Sequence, residues 1–142
     1  MTVRSANALW NGTLKEGKGV MNFSEYNGPF SFASRFEEGE GTNPEELIGA
    51  AHAGCYSMFL SALISNKDLT PQSVATRASV TLGSDDTGPC ITNIKLVCEV
   101  TCEGLTPELF DELKQAAKEK CPISRLYAGG TATIELDAKL VS

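Results

Sequence analysis

Hydrophobic and polar positions along this chain change period several times, and each change marks an element. From Asn7 to Phe32 the sequence is rich in glycine, asparagine and aromatics. It predicts short strands joined by tight turns at Gly17–Lys18 and Asn27–Gly28. The stretch "TNPEELIGAAHAGCYSMFLSALIS" then predicts a long helix. Asn43 is a good N-cap, Pro44 suits the first helical position, and Glu46 falls three after the cap. Glu45 and Glu46 face the positive end of the helix dipole. Beyond them the helix is apolar on all sides to about Ser65, the pattern of an enclosed helix.

Period-2 alternation follows. In "ASVTL" Ala78, Val80 and Leu82 share a face. In "ITNIKLVCEVTC" Ile94, Leu96, Cys98, Val100 and Cys102 point one way, while Lys95, Glu99 and Thr101 point the other. "TATIELDAKL" repeats the pattern with Ala132, Ile134, Leu136, Ala138 and Leu140 inside. One wet face and one dry face predict antiparallel sheet. Between these strands "TPELFDELKQAAKEKCP" predicts an amphipathic helix capped by Thr106, with Pro107 in the first position. Its stripe is Phe110, Leu113, Ala117 and Cys121, and Pro122 ends it. The order predicts an α+β fold, with one small sheet covering one side of the central helix and a partner subunit covering the other.

The length of 142 residues suits one domain, residues 1–142, with a proper core. Net charge is -6 with mixed signs, which argues against a nucleic-acid surface. No apolar leader is visible at the N-terminus. The longest apolar run falls short of a membrane span and is broken by His52, Ser57 and Ser61. These features predict a cytoplasmic protein. Thiols stay reduced there, so five cysteines are not expected to form a disulfide framework.

Cys98 and Cys102 read as core filler and Cys90 as a residue after a turn. Cys55 and Cys121 lie on inward helix faces with polar company, and several chemistries stay open for them. Metal binding has weak support, because the chain has one histidine and no C-x-x-C pair. A cysteine hydrolase would use His52, three residues before Cys55, but no oxyanion site is readable. Otherwise His52 reads as a hydrogen-bonded buried histidine. A redox pair would pass through a sulfenic acid to a disulfide and would need no cofactor.

"RFEEGEGTNPEELIGAAHAGCYSM", followed by "CPISRL", resembles the OsmC/Ohr family of peroxide-defence proteins, and the OsmC branch in particular. The resemblance spans nearly the whole chain. It implies an antiparallel α+β fold in an intertwined homodimer, with central helices packed between sheets. It implies a thiol peroxidase of peroxide and osmotic stress defence that reduces organic hydroperoxides to alcohols, and hydrogen peroxide more weakly. By position, Cys55 would be the peroxidatic and Cys121 the resolving cysteine, with Arg35 the active-site arginine and Glu45 the acid that holds it. Partners would be the hydroperoxide and a dithiol reductant of lipoyl type or a small thiol, with no cofactor, metal, nucleic acid or membrane. Glu45 and Cys55 stand ten residues apart on one helix, about 15 Å in rise and about 80° around the axis. A site built from both chains is therefore expected. The competing reading is a non-catalytic stress-induced dimer or redox sensor.

Overall fold

Three strands open the chain in a meander: β1 (Asn7–Asn11), β2 (Lys18–Phe23) and β3 (Tyr26–Phe30), each antiparallel to the next. The computed structural model describes residues 1–141. One expected turn moves. The β2–β3 reversal occurs at Ser24–Glu25, where Ser24 adopts a left-handed φ of 49°. Asn27 and Gly28 lie inside β3 instead. Gly28 is there for closeness: a Cβ would come within 2.6 Å of the Tyr26 ring and 2.7 Å of the Thr42 methyl. A one-turn helix, α1 (Phe32–Phe36), follows, closed by a reciprocal capping box between Ser31 and Ser34.

Helix α2 (Pro44–Ser65) starts at the predicted cap: Asn43 Oδ1 accepts from the Glu46 N–H at 2.8 Å. The chain divides into two compact units, Met1–Leu47 and the chain from Ile48 onward, at a boundary that falls within this helix. At 22 residues the helix is long enough to cross a bilayer, which the sequence reading did not allow. His52, Tyr56, Leu60 and Ile64 are nevertheless fully buried along one face, and the last three lie in the hydrophobic core of the second unit. Ala50, Ala51, Gly54, Met58 and Ala62 on the opposite side are exposed in the single chain. The all-round apolar pattern is thus half answered by the chain itself.

The second sheet is ordered β4–β5–β6, with β4 (Ser73–Asp85), β5 (Gly88–Thr101) and β6 (Thr133–Leu140). Burial alternates as predicted, with Ile94, Leu96, Cys98 and Val100 of β5 inward. The β4–β5 hairpin is antiparallel, but β6 runs parallel to β5, from Asn93↔Thr133 to Val100↔Leu140. This corrects the wholly antiparallel expectation. Alternation reports which face is wet, not strand direction. The crossover through α3 (Pro107–Lys120) and α4 (Pro122–Tyr127) is long enough to bring the chain back in the same sense. α3 starts as predicted, with Thr106 Oγ1 accepting from the Leu109 N–H, and buries Phe110, Leu113 and Ala117.

Candidate active site

In the first unit the ordered polar group is Arg35 with Glu45. Arg35 Nε donates to Glu45 Oε1 at 2.9 Å and Nη2 to Oε2 at 3.1 Å, a two-point fork. The Glu45 side chain is 11% exposed and that of Arg35 36%, so the acid is fixed and the cation still reaches solvent. The α1–α2 connection holds the arginine in place. Ser34 Oγ donates to the Thr42 carbonyl at 2.7 Å, and Asn43 Nδ2 donates to the Ser34 carbonyl at 3.0 Å. Beside the guanidinium lies an apolar cavity of about 400 Å³ lined by Trp10, Leu14, Phe30, Phe32 and Phe36. The Phe36 ring sits under the guanidinium carbon at 5.4 Å.

In the second unit the structure brings Cys55 and Cys121 together. The Cys121 and Cys55 sulfurs stand 2.7 Å apart, and both are free thiols. Cys55 is half-buried on α2, whereas Cys121, at the α3–α4 corner, is fully buried. Burial pushes the Cys55 thiol up. The Cys121 thiol pushes the same way, and the Ile123 backbone N–H pulls against both. The sense of the sulfur contact depends on the proton. With the proton on Cys121 the bond favours a Cys55 thiolate, and with the proton on Cys55 it opposes one. A low-pKa nucleophile requires a cation beyond these neighbours. Cys98 and Cys102 are buried on the inner face of the sheet strand and its end, as filler should be.

His52 is fully buried, and its Nε2 lies 2.7 Å from Ser124 Oγ. Nδ1 has no hydrogen-bond partner among the described residues. The hydrolase reading needs His52 as the base for Cys55, and the ring nitrogen that is bonded serves Ser124 instead. Sequence reasoning gave Ser124 no role. The signal available was the "CPIS" run, which places a hydroxyl one turn after Cys121. Burial holds the His52 pKa below its ordinary 6.5. As pH falls, the unfolded chain takes up this proton before the native one does. The stabilisation is therefore complete above pH 6.5 and lost below it. The melting temperature is expected to fall as the pH drops below about 6.5, and His52→Gln should flatten that slope in a calorimetric series.

The chain matches the family model described as OsmC-like protein over residues 37–137. It is 42% identical to the peroxiredoxin OsmC of Escherichia coli (strain K12) over 146 aligned residues, covering 100% of both chains. It is 27% identical to an organic hydroperoxide resistance protein-like 2 of Staphylococcus epidermidis over 101 residues, 70% of this chain and 68% of that one. Among solved structures, an OsmC like protein from Mycoplasma pneumoniae superposes with a TM-score of 0.79 at 14% identity, covering 99% of each chain, which speaks for the fold. A family match across most of the chain and a full-length relative at this identity place the protein in the OsmC-like family.

Proposed function

We propose that the protein is a cysteine-based peroxidase of stress defence that reduces organic hydroperoxides, and hydrogen peroxide more weakly, to alcohols or water. The peroxidase class rests on the likeness to peroxiredoxin OsmC. The single observation that carries the mechanism is the 2.7 Å approach of the Cys55 and Cys121 sulfurs. Cys55 thiolate attacks the terminal peroxide oxygen. The O–O bond breaks, an S–O bond forms, and the alkoxide takes a proton and leaves as alcohol. The Cys121 thiol then attacks the sulfenic sulfur, forming the S–S bond and releasing the hydroxyl with a proton as water. An external dithiol restores both thiols by exchange.

Arg35, held by Glu45, is proposed as the cation that makes Cys55 a thiolate, because a guanidinium keeps its proton under all conditions. Whether one chain's pair serves its own thiol or its partner's, the fork fixes where the charge is presented. The aromatic cavity beside Arg35 suits an alkyl tail, since binding of such a tail follows the apolar area removed from water. The protein is proposed to act as a homodimer in the cytoplasm. The exposed apolar side of α2, where Met58 is 79% exposed, would be the face a second copy covers.

The test is to treat reduced protein with one equivalent of an organic hydroperoxide, map its disulfides by mass spectrometry, and then follow peroxide consumption with a dithiol. A rapid Cys55–Cys121 bridge with sustained turnover is expected, and Arg35→Met should slow the bridge. A bridge without turnover would favour a redox sensor. No bridge, or one between Cys98 and Cys102, would overturn the assignment.

A further inference from the structure

Cys121 occupies the corner between α3 and α4, where its N–H donates to the Ala117 carbonyl at 3.0 Å and its carbonyl accepts from the Arg125 N–H at 3.0 Å. Its φ of -54° and ψ of 128° belong to neither flanking helix, and its side chain caps nothing. On the α3 side, apolar packing of Leu113 and Ala117 fixes the chain. On the other side α4 has only six residues, too short to be stable by itself. Residues 128–131 beyond it are exposed, and Gly129 sits in the left-handed region at φ 83°. Something outside α4 must fix it.

Besides the core packing of Tyr127 and the Ile123 N–H that reaches Cys55, one residue of α2 meets two side chains of α4. Ser124 is the most buried residue of α4, and Tyr127 lies one turn further on. Both land on His52. Ser124 Oγ meets His52 Nε2 at 2.7 Å, and the Tyr127 ring meets the imidazole edge-on with centroids 5.4 Å apart. His52 stands one turn before Cys55 on α2, and Ser124 one turn after Cys121. The two side-chain bridges between α2 and this corner therefore run in parallel, thiol to thiol and imidazole to hydroxyl. Because Nδ1 is buried without a partner among the described residues, the ring proton is placed on Nε2, donating to Ser124.

We propose that His52 and Ser124 are positioning residues for disulfide formation, their hydrogen bond clamping α4 to α2 so that Cys121 is held in line with Cys55. The inference rests on the assignment of Cys55 and Cys121 made above. In the step concerned, the Cys121 sulfur attacks along the line of the departing S–OH bond. The sulfenic sulfur is reduced, the Cys121 sulfur is oxidised, and the thiol proton leaves with the hydroxyl as water. The first step draws on Cys55, the Arg35 charge and peroxide, and α4 contributes to it only the Ile123 N–H. Loosening α4 therefore affects it far less than the bridging step, which needs the Cys121 sulfur in line. The unresolved sulfenic acid then meets a second peroxide and goes on to sulfinic acid.

The experiment compares Ser124→Ala, Ser124→Thr and His52→Leu with the parent full-length chain. Each is reduced and mixed with one equivalent of tert-butyl hydroperoxide. Peroxide loss is followed alongside Cys55–Cys121 bridging and trapped sulfenic acid by mass spectrometry. In Ser124→Ala and His52→Leu, peroxide loss should stay within about twofold while bridging slows about ten- to a hundredfold, the scale of an ångström-sized misplacement. Ser124→Thr, which keeps the hydroxyl, should bridge like the parent. Bridging at the parent rate in both Ser124→Ala and His52→Leu overturns the inference alone. So does equal slowing of both steps, or failure of Ser124→Thr alongside Ser124→Ala. A parent chain that never forms this bridge overturns the cysteine assignment and this inference with it.

Discussion

Replacing Cys55 by serine is expected to abolish dithiol-dependent peroxide consumption, by on the order of 10³-fold or more, while the circular dichroism spectrum stays that of the parent. The substitution changes one atom at a half-buried position, so packing is nearly preserved. The chemistry is not preserved. A serine hydroxyl stays protonated at neutral pH, and its oxygen cannot accept the peroxide oxygen as sulfur does. Persistent turnover would transfer the reaction to another thiol. Cys90 is the first to examine, because Cys98 and Cys102 are buried in the sheet.

Replacing Cys121 by serine should separate the two halves of the reaction. The first equivalent of peroxide is consumed at close to the parent rate, and turnover driven by dithiol then falls about a hundredfold. Cys55 should accumulate as sulfinic acid, detected by intact-mass measurement during stepwise peroxide addition. The position is fully buried, so the serine hydroxyl also costs about 1–3 kcal/mol of stability if it finds no partner. Cys121→Ala serves as the companion, because it removes the thiol without burying a new polar group. Undiminished multiple turnover in both variants would refute the resolving role.

These two cysteines also show how much was legible in the chain. The cap at Thr106 and the stripe Phe110, Leu113, Ala117 and Cys121 are local features, and they put Cys121 inside on periodicity alone. The alternation in "ITNIKLVCEVTC" likewise put Cys98 and Cys102 inside. Pairing Cys55 with Cys121, and Arg35 with Glu45, came from the family resemblance, because spacing does not reveal which distant side chains meet. His52 and Ser124 are 72 residues apart, and each alone reads as an ordinary buried polar residue. The five-residue α1 and six-residue α4 carry too few turns for a 3.6-residue period to register. The parallel sense of β6 was invisible because a strand's dry face looks the same in either direction.

The placement of β6 bears on how the protein is made. β6 is the last strand among the described residues to be synthesised, yet it pairs with β5, the middle strand of its sheet, from Asn93 to Val100. Until it emerges, β5 presents an unsatisfied row of amides and carbonyls next to inward-facing Ile94, Leu96 and Val100. A nascent chain stalled in the α3–α4 crossover therefore carries an open, sticky edge, and pairing over so long a separation is slow to close it. The interval in which this chain is most open to mispairing falls before β6 has closed on β5.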